Sequence, residues 1–237
     1  EVWRALSASE PGYCPPSVIE QGGDQQLLIW HPESVNGLNL ATGEVYWSLP
    51  VKPDYGMAIA MPQKLGSELF VSGYQTASAL IRLDGNRPTA EVVWRGTPKT
   101  ALYCVTSTPF LEAGTIYGCD ANSGELSAAR LEDGERLWQT ARPTTGGEGV
   151  GNATVFLVKH RDCFFLFSET GDLILAKLTP ERYEEISRFH VLDPTSPTEG
   201  RLVVWSHPAF AEKSVFARND KELVCVSLAR TPAAAER

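Results

Sequence analysis

Apolar and polar residues alternate along this chain in short runs, and the runs are broken repeatedly by glycine, asparagine, aspartate and proline. Alternation over four to eight positions between turn residues is the mark of half-buried strands rather than of an amphipathic helix. The pattern therefore predicts an all-β chain. The least strand-like stretch, "TPERYEEISRF" from Thr179, is highly charged, but it stands where neighbouring units place an outer strand and is read as one.

The alternating runs repeat. Four segments end in an aromatic residue after a polar or turn-containing stretch: "ATGEVYW" at Trp47, "PTAEVVW" at Trp94, "EDGERLW" at Trp138 and "YEEISRF" at Phe189. A fifth, "EVW" at Trp3, lies 44 residues before Trp47, and the later intervals are 47, 44 and 51 residues. That period is the length of one four-stranded propeller blade. Early in each unit comes an apolar or small-residue segment expected to form the inner strand: "PPSVI", "MAIAM", "TSTPFL", "NATVFLV" and "SHPAFA". A second strand follows ("LLIWH", "ELFVSGY", "TIYGCD", "CFFLFS", "SVFARN"), then a turn such as "NSGEL", "ETGDL" or "NDKEL". Glycine and asparagine tolerate the positive φ that tight hairpins need, so these are hairpin signals.

The reading is a β-propeller of four-stranded antiparallel blades, with about five blades in this chain. Blades are expected over 13–49, 56–96, 104–140, 151–191 and 205–228, within one domain of residues 1–230, with an orphaned strand at 1–6 and a disordered tail at 231–237. A four-stranded sheet cannot bury both faces alone, so radial stacking removes its apolar surface from water. Trp3, Trp47, Trp94, Trp138 and Phe189 are the expected docking residues between blades, with Gly43 and Gly134 at the outer turns.

Composition narrows the function. Twenty-one basic against 29 acidic residues give a net charge of −8 without an acidic run, which disfavours nucleic acid and anionic lipid as partners. No apolar run reaches the roughly 18 residues of a membrane span. Cys14, Cys104, Cys119, Cys163 and Cys225 contain no C-x-x-C and no adjacent pair, and their odd number leaves at least one unpaired within the chain. They read as packing thiols.

With those residues in view, the chain resembles the pyrroloquinoline-quinone-like (PQQ-like) repeat propellers. Their docking pattern has a small residue, an acid two later, a glycine four after that and a tryptophan four further on. "GLNLATGEVYW" matches at Gly37, Gly43 and Trp47 with Asn39 for the acid, and "AARLEDGERLW" matches at Ala128, Gly134 and Trp138 with Arg130 there. The Trp94 unit has a lengthened turn and the Phe189 unit is degenerate. The superfamily includes quinoprotein alcohol dehydrogenases and the propeller lipoprotein of outer-membrane assembly. The resemblance implies rings of seven or eight blades working outside the bacterial cytoplasm, in the periplasm. Of two arrangements, closure of a five-bladed ring by residues 1–6 against the strand near Leu223, or the C-terminal part of a larger ring, the second is favoured.

A quinone dehydrogenase of this resemblance would need calcium held by carboxylate and amide oxygens, a base beside the quinone, and planar covers. Adjacent cysteines, which cover the quinone in the best-known relatives, are absent. Asp120, Asp172 and Asp220 all fall at hairpin turns, where aspartate bonds its own backbone, so no catalytic or metal residue is assigned. Hydrolase and phosphate-loop motifs are missing; "GGEGVGN" from Gly146 leads into a strand-like run and reads as an interblade loop, and the Asn152 sequon opens an inner strand. His207, in "WSHPAF", is the single candidate for a channel-facing ligand group. The cluster Arg218, Asn219, Asp220 and Lys221 reads as a solvated turn. The expectation is a non-catalytic scaffold or recognition module of the cell envelope, without cofactor, binding a protein or an extended polymer at a rim or channel mouth. The alternative is a PQQ- and calcium-dependent dehydrogenase acting on an alcohol or polymeric alcohol, its ligands lying in a missing N-terminal part.

Overall fold

The computed structural model describes residues 1–229, and these form strands, turns and a single 3-10 turn at Asp54–Gly56. The expected tail at 231–237 lies outside the described residues. Four antiparallel sheets of four strands follow one another, each with its strands in chain order. The first comprises Ser17–Gln21, Asp24–His31, Ser34–Asn39 and Val45–Pro50; the second Gln63–Leu65, Glu68–Ser72, Ser78–Leu83 and Ala90–Arg95. The third comprises Phe110–Glu112, Thr115–Asp120, Glu125–Arg130 and Arg136–Thr140; the fourth Val155–His160, Cys163–Ser168, Asp172–Leu178 and Tyr183–His190. A three-stranded sheet, Ala209–Ala211, Ser214–Arg218 and Leu223–Ser227, comes last. These are propeller blades, and the chain forms part of a ring.

Apolar packing lies between blades. One core joins Leu28, Trp30 and Trp47 of the first blade to Val71, Ala79 and Ile81 of the second. Others join Phe70 and Leu80 to Ile116 and Ala129, Tyr117 and Leu126 to Phe164 and Ile174, and Phe167 and Leu173 to Val215 and Ala217. Middle strands of the inner blades are accordingly buried on both faces: every residue of Thr115–Asp120 is buried. The charged strand Tyr183–His190 is mostly exposed, as expected for an outer edge.

Each complete blade breaks register once, between its third and fourth strands. The breaks fall between Gly37 and Leu38, Leu80 and Ile81, Ala128 and Ala129, and Leu175 and Ala176, so Tyr46, Val93, Leu137 and Ile186 are the unpaired residues. A bulge sharpens the local twist and re-aims the next side chain. The residue so aimed is Trp47, Trp94 or Trp138 in the first three blades and Ser187 in the fourth.

Two local readings differ from the structure, and one element was not foreseen. "MAIAM" is not a strand. Met57–Met61 run beside the neighbouring blades' inner segments, with Tyr13 N–H donating to the Ala58 carbonyl (3.2 Å) and Met61 N–H to Thr108 Oγ1 (3.3 Å), and the inner strand starts after Pro62. Residues 1–6 form no ladder with any described strand, including Leu223–Ser227. An added hairpin, Ser196–Thr198 with Arg201–Val203, rises from the connector between the fourth blade and the last sheet, turning at Glu199 and Gly200, both at positive φ.

Candidate binding surface

The expected docking residues occupy several environments. Trp94 reaches the third blade, where its Nε1 donates to the Leu131 carbonyl at 3.0 Å. Its ring lies against Gly134, so a Cβ there would stand 3.3 Å from Cη2. Trp138 repeats this against the fourth blade, donating to the Thr179 carbonyl at 2.8 Å and packing beside Tyr117. Trp3 covers Gly43, where a Cβ would stand only 2.4 Å from Cε3. Gly43 and Gly134 both have φ +75°, a conformation that suits glycine in these outer turns. Trp47 is turned differently: its ring lies flat on Gly37 of its own blade and Nε1 donates to Gln26 Oε1 at 2.9 Å.

Phe189 requires correction. It pairs with Leu173, two residues beyond the register position held by the tryptophans, and is 39% exposed. Ser187 takes that position instead. Where the repeat pattern calls for an acid, Asn39 substitutes chemically: its Oδ1 accepts from the N–H groups of Ala41 and Thr42 and so closes the outer turn. Arg130 pairs instead with Asp133 and Glu135.

The inter-blade connectors and the turns between second and third strands are tied together by buried polar groups. Ser72 Oγ donates to the Leu102 carbonyl and accepts from Cys104 N–H, both at 2.7 Å. Thr144 Oγ1 donates to the Gly124 carbonyl and Ser168 Oγ to the Thr144 carbonyl. Glu169, 2% exposed, receives four protein donors: Arg201 Nε and Nη2, Trp205 Nε1 and Thr154 N–H. A buried carboxylate survives only with such compensation, and here it fastens the added hairpin to the ring. The hairpin's Glu199 also accepts from Asn152 Nδ2.

A second buried carboxylate borders open space. Asp120, 1% exposed, accepts from Asn122 N–H on Oδ1 and from Arg136 Nη2 on Oδ2 at 2.8 Å. Burial pushes its pKa up, with the Arg136 charge opposing. Arg136 Nε donates to the Ala101 carbonyl, so connector, turn and outer strand converge. Beside this pair lies a cleft of about 400 Å³ lined by Gln75, Thr76, Pro98, Asn122 and Ser123.

The remaining candidates are placed as follows. His207 is exposed and rests on Phe156 of the neighbouring blade at 5.2 Å, with Nδ1 against the Pro208 carbonyl. Asp172 pairs with Arg188 and His190, and Asp220 accepts from Ser196 Oγ. The hydrogen bond to Asp172 raises the His190 pKa, desolvation opposes it less strongly, and the bond to Asp193 adds a smaller upward push. In the Arg218–Lys221 turn, Asn219 Oδ1 accepts from the N–H groups of Lys221 and Glu222. All five cysteines are free thiols; burial pushes Cys14 up to about 11 and Cys119 to about 12, and Cys104 well above the ordinary value. Thiols so placed stay protonated and unreactive.

A family profile described as outer membrane protein assembly factor BamB matches residues 1–140 and again 33–235. The chain belongs to this BamB-type propeller family. BamB from Moraxella catarrhalis superposes on the propeller with a TM-score of 0.58 at 15% identity, over 91% of this chain and 57% of that one. Apo AztD from Citrobacter koseri gives 0.55 at 13% identity, over 91% and 57%, and a europium-containing methanol dehydrogenase gives 0.51 at 10%, over 88% and 49%. The chain thus spans about half the length of these solved structures. No curated protein matches it by sequence.

That a dehydrogenase shares this fold raises the question of a quinone with calcium. Among the described residues of this BamB-type propeller, no group of three or more carboxylate, imidazole or thiolate side chains is arranged to hold a metal ion. Asp120 and Glu169 have their charge answered by arginines, so they do not fit calcium ligation, and no quinone chemistry is assigned to these residues. No helix among the described residues is long and apolar enough to cross a membrane.

Proposed function

We propose that this propeller is a recognition scaffold of the bacterial cell envelope, working in the periplasm in outer-membrane protein assembly, and that it holds a protein partner on its connector face. The observation that supports this reading is the pinned hairpin. Arg201 and Trp205 anchor it to the buried Glu169. Leu202 is left 55% exposed on one strand and Val150 42% exposed on the adjoining loop. Apolar side chains held out by a rigid support bind without a large ordering cost.

The test is replacement of the gene in its host by a Leu202→Asp, Val150→Asp variant whose thermal melt matches the parent. The reading expects periplasmic fractionation of the parent protein, a fall in outer-membrane β-barrel proteins in the variant, and loss of crosslinks from a photoreactive residue at position 202. Cytoplasmic fractionation, or unchanged barrel levels after deletion of the gene, would refute it.

A further inference from the structure

The cleft between the second and third blades supports a site of its own, independent of the hairpin. Its floor is the Asp120–Arg136 pair, which carries no net charge. Arg136, which lines the cleft, spends Nη2 on Asp120 and Nε on the Ala101 carbonyl, leaving Nη1 available as a donor to a ligand. Asn122 donates through Nδ2 to the Gln75 carbonyl, which leaves its Oδ1 as an acceptor. Gln75 and Thr76 supply an amide and a hydroxyl, and Ser123, which also lines the cleft, has an Oγ buried without a protein partner. Gln75 is held at φ +63°, a conformation that costs a non-glycine residue about 1 kcal/mol and that concentrates at ligand sites.

The turn that carries Gln75 also carries Tyr74, whose ring lies 5.9 Å from that of Tyr55. Tyr55 is 81% exposed and also at positive φ, +57°. The site therefore combines planar amide and guanidinium groups, hydroxyls and a neighbouring aromatic pair, the exposed Tyr55 and the half-buried Tyr74, around a neutral ion pair. An anion finds the Arg136 charge already answered, in a chain of net charge −8. An extended peptide read by its main chain needs a free strand edge, and this cleft is walled by turn side chains. A pyranose ring fits both halves: hydroxyls that donate and accept around its rim, and a C–H face for an aromatic ring.

We propose that this cleft binds a neutral oligosaccharide, one pyranose seated over Arg136, Asn122 and Gln75 with the chain continuing toward Tyr74 and Tyr55. The experiment titrates the whole ¹⁵N-labelled chain with maltotetraose and, separately, with the tetramer of N-acetylglucosamine, which distinguishes plain from N-acetylated glycans. Saturable shifts confined to the amides of residues 74–76 and 122–123 and to Arg136 Nε are expected with at least one sugar, with Kd on the order of 1 mM. Asn122→Ala and Gln75→Asn should each weaken binding about three- to tenfold, the loss of one hydrogen bond, with melting unchanged. No saturation with either sugar at about twenty times that Kd would overturn the proposal. So would shifts on another face, or tighter binding at the same amides by an uncharged tetrapeptide. Failure here leaves the hairpin reading standing, because the two tests share no residue.

Discussion

Replacing Trp138 measures how much one docking indole contributes. Truncating a fully buried tryptophan to alanine costs about 3 to 5 kcal/mol. Trp138 is only partly buried in the core between the third and fourth blades, so the packing loss is scaled down to about 2 kcal/mol. Its Nε1 bond to the Thr179 carbonyl adds about 1 kcal/mol. Trp138→Ala is thus expected to lose about 3 kcal/mol, and Trp138→Phe, which keeps most of the ring but loses the donor, about 1 kcal/mol. Urea melts of parent and variants should shift in midpoint with an unchanged slope. A loss below about 1 kcal/mol for the alanine variant would refute the reasoning, since the ring would then contribute little to the contact between blades.

A Cβ added by Gly37→Ala would clash with the Trp47 ring, so it should destabilise by about 1 to 3 kcal/mol, and the same substitution should cost less in a Trp47→Leu background in the same urea assay. In native protein at pH 8, a thiol reagent should modify the exposed Cys225 readily and leave Cys104 and Cys119 untouched until denaturant is added; rapid native labelling of Cys119 would contradict its burial. The raised pKa of His190 means the folded state favours the imidazolium, so its contribution is complete below the unfolded value of about 6.5 and is lost as pH rises through the folded value. Melting temperature should therefore fall over that window by more in the parent than in His190→Gln, and equal slopes would remove the assignment.

The blades were legible because their determinants are local. Gly43 and Gly134 mark turns by backbone conformation, and the first three blades each carry a tryptophan just after the register break, although Trp47 rests on its own blade where Trp94 and Trp138 reach the next. Phe189 was misplaced for a reason internal to strands: it and Ser187 lie two residues apart on one face, so alternation cannot distinguish them, and only the bulge at Ile186 sets which one follows the register break. "MAIAM" alternates well but pairs with connectors rather than with a strand, a tertiary circumstance. The hairpin at Ser196–Val203 has strands of three residues with Pro197 in one of them, too short to announce themselves. The candidate site was the least legible part. Asp120 read as an ordinary turn aspartate, and its Oδ1 does bond the backbone of Asn122, but its other oxygen meets Arg136 from an outer strand. Gln75, Thr76 and Pro98 arrive from another blade, and no spacing along the chain signals that meeting.

The central claim is that indoles of one blade are fastened to the backbone of the next, and hydrogen exchange at the tryptophan Nε1 positions tests it most directly. The account expects the Trp94 and Trp138 indole protons, bonded to the Leu131 and Thr179 carbonyls, to exchange far more slowly than a free indole and to be released together on unfolding. Exchange of both at the free-indole rate in the folded protein would contradict it.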